Sequence, residues 1–90
     1  MKRIKLNIYG RVQGVWYRKN TQEQALKIGL TGLVRNENDG SVYAEGQGSD
    51  EQLIKWIEWC KEGPEFAHVT DLQIQEMELV LDEKSFEILK

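Results

Sequence analysis

Arg18 is the cation in this chain best placed to handle an anionic ligand. It lies just past the segment Ile8-Tyr9-Gly10-Arg11-Val12-Gln13-Gly14-Val15-Trp16-Tyr17. Gly10 and Gly14 let the backbone take positive φ and come close to a ligand. Successive N–H groups in such a loop converge into an anion-binding nest, and a helix N-terminus directly after it adds positive potential. The guanidinium offers a planar fork of donors that matches two phosphate oxygens. Read on local pattern alone, the same residues also describe a glycine-containing turn followed by a solvated arginine.

A second segment, Gly32-Leu33-Val34-Arg35-Asn36-Glu37-Asn38-Asp39-Gly40, carries Asn36 at the end of a short apolar run. Its carboxamide can orient a water through both the oxygen and the amino group. An asparagine before a turn also serves turn chemistry, and residue types alone leave both readings open.

Composition removes several other chemistries. The chain has one histidine, His68, and one cysteine, Cys60. The usual zinc ligand sets cannot be assembled from it alone, nor can an intrachain disulfide form. Ser41, Ser49 and Ser85 have no candidate base near in sequence, so a nucleophilic triad is not expected. His68 follows Pro64 and precedes a strand, which makes it an exposed connecting residue.

Charge is unevenly divided. Residues 1–45 hold eight Lys/Arg against four Asp/Glu, and residues 46–90 hold four against eleven. An anionic ligand therefore belongs on the N-terminal half, while the chain as a whole repels a long nucleic acid. No apolar run approaches the roughly 20 residues that cross a bilayer. The basic N-terminus leads into alternating residues instead of a signal-peptide apolar region, so a cytoplasmic protein is expected.

The elements that must position these residues follow from periodicity. Ile4, Leu6 and Ile8 alternate with Lys5, Asn7 and Tyr9 in a half-buried strand. A helix over roughly 18–29 places Thr21, Ala25 and Ile28 on one face and stops at Gly29. Thr21 and Gln24 have capping-box spacing, which would start that helix later. Thr31–Asn36 and Ser41–Gly48 form a hairpin around Asn38-Asp39-Gly40. Val42 and Ala44 take one face of its second strand, and Tyr43, Glu45 and Gln47 the other. Ser49 and Gln52 form a capping box for a second helix, whose stripe is Leu53, Trp56, Ile57 and Cys60. Gly63-Pro64 ends it. Trp59 falls off the stripe and is expected to be partly exposed. A fourth strand around Val69–Glu76 turns Leu72 and Ile74 inward, and Phe86 and Ile88 mark a short strand at the C-terminus. The acidic run from Asp71 to Glu87 reads as a solvated face.

The order β-α-β-β-α-β implies one domain over residues 1–90. It is a ferredoxin-like α+β sandwich: a four-stranded antiparallel sheet, two helices on one face, and a short extra C-terminal strand. A chain of this length buries about two thirds of its unfolded surface. The fold hosts many functions and identifies none.

The two segments together resemble the defining motifs of the acylphosphatase family. The first follows the pattern G-x-V-Q-G-V-x-F-R, with Tyr17 where Phe is usual. The second follows glycine-aromatic-V-x-N-x-x-x-G-x-V through Gly32, Val34, Asn36, Gly40 and Val42, with Leu33 in place of the aromatic residue. Thr21-Gln22, Gly46-x-Gly48 and Phe86-x-Ile88 extend the likeness along nearly the whole chain.

The resemblance implies hydrolysis of the carboxyl-phosphate bond of acyl phosphates, without metal or other cofactor. It assigns phosphate binding to Arg18 and water orientation to Asn36. The backbone of Gln13, Gly14, Val15, Trp16, Tyr17 and Arg18 becomes the phosphate cradle, with the helix starting near Arg18. The expected partners are an acyl phosphate as substrate and inorganic phosphate as product and competitive inhibitor, acting on a monomer, with no nucleic acid or membrane. Trp16 either lines the mouth where the acyl group enters or packs beneath the loop. The extra hydroxyl of Tyr17, if buried, needs a partner.

Two rival readings share the fold. An RNA-binding module would need stacking aromatics on the central strands, with Tyr9 and Tyr43 as the candidates. An acylphosphatase-like module could instead bind phosphate as a regulator, or take carbamoyl phosphate within a larger enzyme. The chain's end at Lys90 leads to the expectation of a free-standing enzyme.

Overall fold

The computed structural model describes residues 1–89. Its elements are β1 (Lys2–Arg11), α1 (Tyr17–Ile28), β2 (Thr31–Asn36), β3 (Val42–Gly48), α2 (Asp50–Glu62), β4 (His68–Met77) and β5 (Phe86–Ile88). The sheet order is β4-β1-β3-β2-β5. The first four strands pair antiparallel, as the sequence pattern requires. β5 departs from expectation: it joins the same sheet, parallel to β2, so the sheet is five-stranded and mixed. The cause is the crossover after β4, which spans the sheet and returns the chain beside β2, where Phe86 is fully buried.

The period-2 pattern of β1 is realised, with Ile4, Leu6 and Ile8 buried together with Val34, Val42 and Ala44 of the neighbouring strands. The capping box at Ser49 and Gln52 forms in both directions and starts α2. Leu53, Trp56 and Cys60 of its stripe are buried, and Ile57 and Trp59 pack partly against the same core. Trp56 meets Phe86 edge-on at 5.7 Å, an arrangement favoured by the ring quadrupoles.

Three expectations need correction. The capping box at Thr21 and Gln24 is not used, because α1 already begins at Tyr17 and Thr21 is buried one turn inside it. Ile74 lies opposite the buried Leu6, so its parity is right, yet it is 47% exposed. β4 is an edge strand, and of its residues Val69 and Leu72 pack partly against the core while Ile74 does not. Finally, Glu83 leaves the solvated acidic face and pairs with Arg3 at 2.7 Å. Among the described residues, no helix is long and apolar enough to cross a membrane.

Candidate active site

β1 delivers the chain to the site through a bulge. Its pairing with β4 shifts register between Tyr9 and Gly10. Gly10 adopts φ 122°, and any side chain there would run into the backbone of His68. Beyond it the loop turns under α1. Gly14 at φ 72° and Trp16 at φ 65° are both left-handed, with Val15 between them. This alternation turns N–H groups toward a common side.

α1 then starts with Trp16 at its N-cap and no side-chain cap. The first-turn N–H groups of any helix lack intrahelical acceptors. Here no side chain caps them, so the N–H groups of Tyr17, Arg18 and Lys19 can take an external acceptor, and the helix dipole would favour an anionic one.

Side-chain contacts fix the loop's position. Gln13 Nε2 donates to the carbonyls of Glu37 and Ser41, both at 2.8 Å, tying the loop to the β2–β3 hairpin. The Tyr17 hydroxyl donates to the Cys60 carbonyl at 2.7 Å, tying it to α2. Tyr17's hydroxyl thus has the partner that its burial requires. Asn20 Nδ2 donates back to the Trp16 carbonyl at 2.8 Å and braces the first turn.

Asn36 reaches the same place from below. Alternation along β2 puts it on the face of the buried Gly32 and Val34, at the strand's end nearest α1. Its Oδ1 is buried and has no hydrogen-bond partner among the described residues. The hairpin is closed without it: Asp39 Oδ1 accepts from the Ser41 N–H at 2.9 Å and from its hydroxyl at 2.5 Å. Those bonds hold the Asp39 carboxyl below its usual pKa. The backbone adds Glu37 N–H to the Ser41 carbonyl at 2.9 Å. Turn chemistry therefore belongs to Asp39.

One cleft of about 370 Å³ collects these groups, lined by Val12, Gly14, Trp16, Tyr17, Arg18, Lys19, Asn36 and Ile88. Of the expected site residues it brings together Arg18, Asn36, Gly14, Trp16 and Tyr17. Gln13 and Val15 do not line it: Gln13 anchors the loop, and Val15 is buried beneath it. Trp16 lies 71% exposed at the cleft, so it does not pack under the loop.

Val12, Lys19 and Ile88 were not anticipated. Ile88 comes with the strand β5, whose register places it beside Val34. Leu89 follows, donating to the Val34 carbonyl at 2.8 Å and accepting a long 3.4 Å contact from Arg18 Nη1. Lys19 could have been found from its position, since the residue after Arg18 still lies in the first helical turn.

On the sheet's other face, Tyr43, one of the two stacking candidates, is engaged within the fold. The Arg35 guanidinium covers the Tyr43 ring at 4.4 Å, and the Tyr43 hydroxyl donates to Glu45 at 2.6 Å. Burial and that carboxylate push the phenol up to about 12.

Residues 4–88 match the family model described as Acylphosphatase. A curated acylphosphatase of Methylococcus capsulatus is 41% identical over 90 residues, covering 100% of this chain and 98% of its own. The crystal structure of acylphosphatase from Bacillus subtilis is similar over 100% of both chains, with 33% identity and a TM-score of 0.95. Full-length HypF in its phosphate- and nucleotide-bound form is similar over 99% of this chain but 12% of HypF, with 29% identity and a TM-score of 0.86.

Proposed function

The chain belongs to the acylphosphatase family and is a hydrolase of acyl phosphates, and we propose that Arg18 holds the substrate phosphate while Asn36 places the attacking water. The observation that carries this reading is that Asn36, whose Oδ1 has no hydrogen-bond partner among the described residues, lines the same cleft as Arg18. An unpaired buried oxygen costs about 1–3 kcal/mol. A turn residue has no reason to carry that cost, whereas a residue that accepts a hydrogen bond from substrate water does.

The phosphate sits in the left-handed loop at the start of α1. Backbone donors from Gly14 to Arg18 surround its equatorial oxygens, and the Arg18 fork takes two of them. Lys19, exposed at the same cleft, adds attraction for the incoming anion. Asn36 accepts a hydrogen bond from a water and aims its lone pair at phosphorus, in line with the acyl oxygen. The new P–O bond forms as the P–O bond to the carboxyl group breaks. The leaving group departs as a carboxylate, whose conjugate acid has a pKa of about 4, so no general acid is needed. The water's proton passes to a phosphate oxygen. What the protein supplies is position and charge stabilisation.

The test is release of inorganic phosphate from benzoyl phosphate by the purified chain in the presence of EDTA. Turnover should persist, and added phosphate should compete with substrate at millimolar levels. Activity that disappears with EDTA and returns with a divalent cation would overturn the mechanism.

Carbamoyl phosphate has the same carboxyl-phosphate bond, and the same assay with it measures how far the cleft accepts it.

A further inference from the structure

The cleft holds more than a phosphate. Its volume of about 370 Å³ lies in the range of pockets that enclose whole small molecules. Arg18, Asn36 and the loop backbone account for the phosphate end. Val12, Trp16 and Ile88 also line the cleft, and none of them offers a side-chain group that a phosphate would use.

Trp16 stands out among these three. Its indole is 71% exposed, while Trp56 is fully buried and Trp59 packs against the core. Its backbone is left-handed at φ 65°, a region that bulky residues rarely occupy. Glycine would relieve the backbone and remove the exposed ring at once. Packing within the fold therefore gives no reason for tryptophan at this position. Ile88 is 36% exposed on the same cleft, and the fully buried Val12 contributes to its floor.

We propose that Trp16, with Ile88 and Val12, forms the binding wall for the acyl group, so that the enzyme prefers acyl phosphates carrying aromatic or extended apolar acyl chains. This rests on the phosphate lying against Arg18, as argued above. With the phosphate there, the acyl group leaves the nest toward the remaining volume of the cleft. An aromatic acyl group can stack on the indole or meet it edge-on, and both arrangements bury apolar surface that is otherwise wet.

The experiment compares kcat/KM for benzoyl phosphate and acetyl phosphate in the wild type, Trp16→Gly and Trp16→Phe. The benzoyl-to-acetyl ratio should fall about tenfold in Trp16→Gly and be largely retained in Trp16→Phe. A ratio unchanged in Trp16→Gly, whatever the absolute loss, overturns the proposal, because the ring would then serve only loop geometry. Should Trp16→Gly not fold, wild-type inhibition by benzylphosphonate and methylphosphonate decides the question. The benzyl compound should bind about tenfold more tightly, and equal inhibition constants overturn the proposal. Acetyl phosphate turnover by the wild type tests the underlying reading separately. No release from either substrate would sink the phosphate assignment, whereas release without preference sinks only the acyl wall.

Discussion

The Tyr17 hydroxyl and the Cys60 carbonyl, 2.7 Å apart, join the first turn of α1 to the last turn of α2. Cys60 is among the last four residues of α2, whose carbonyls lack an intrahelical donor. The bond thus satisfies one orphan group while holding the residue between Trp16 and Arg18. The Tyr17 ring also packs on Trp59, with centroids 5.7 Å apart.

Tyr17→Phe keeps the ring and removes the bond. The Cys60 carbonyl is then buried without a donor, which should cost about 1 kcal/mol or slightly more. For a chain of this size that corresponds to a drop of roughly 4–8 °C in thermal midpoint per kcal/mol. An unchanged midpoint would show that water replaces the hydroxyl.

Alkaline pH should destabilise the fold through the same pair. Burial pushes both the Tyr17 phenol and the Cys60 thiol above their ordinary values of 10.0 and 9.0. Above those values the unfolded chain ionises while the folded chain keeps its protons. Stability is therefore complete below about pH 9 and falls as pH rises, by up to about 1.4 kcal/mol per pH unit for each group. Urea midpoints between pH 8 and 11 measure the slope. It should be shallower in Tyr17→Phe above pH 10, and coincident slopes would exclude the phenol as a source.

Acid should act through a different site. Arg3 is 1% exposed, yet it pairs with Glu45 and Glu83, both at 2.7 Å. Burial pushes the Glu83 carboxyl up, but hydrogen bonds from Arg3 and Thr31 and the Arg3 charge outweigh it, so the net shift is downward. A lowered value stabilises the fold above the unfolded carboxyl range, and that contribution is lost as pH falls through it. Glu83→Gln should cost about 1.5–3 kcal/mol at pH 7. The gap to wild type should narrow by pH 3.5 in urea denaturation. A gap that stays constant would mean the carboxylate charge contributes nothing.

What could be read from the sequence, and what could not, divides by the range of the signal. The α2 capping box lies within four residues, and the strand alternations within six, so local chemistry reports them. Residue types alone left Arg18 and Asn36 open between site and turn, and it was the resemblance of two whole motifs to a family that singled them out as candidates. The partners of Arg3 lie 42 and 80 residues away, and alternation in β1 reads it simply as polar. The parallel docking of β5 depends on where the crossover lands, which no local pattern states. Ile88 and the Leu89 carbonyl were missed at the site for that reason. The start of α1 was obscured because its N-terminus has no side-chain cap, and an uncapped end leaves no mark in residue types.

Arg18→Lys should not rescue function. An ammonium keeps the charge but cannot supply two parallel donors to a phosphate. In the role proposed for it the group contacts phosphate in both ground and transition states, so KM should rise and kcat should fall. A loss of at least about a hundredfold in kcat/KM is expected, by comparison with removal of a single positioned donor. Near-normal kinetics in the lysine variant would mean that charge alone suffices and that the fork is not used.

Asn36→Ala separates water placement from phosphate binding. If the carboxamide orients water, the inhibition constant for inorganic phosphate should stay nearly unchanged while turnover falls about 10²–10³-fold, or roughly 3–4 kcal/mol. Stability gives an independent readout with a definite sign. Asn36 Oδ1 is buried without a partner, so its removal breaks no hydrogen bond and relieves an unsatisfied group. The turn that follows is held by Asp39 and Ser41, which the variant leaves intact. The thermal midpoint should therefore hold or rise as turnover collapses. A residue that served only the hairpin would behave in the opposite way, with a lowered midpoint and a normal rate per folded molecule. Turnover within a few-fold of wild type would remove Asn36 from the mechanism.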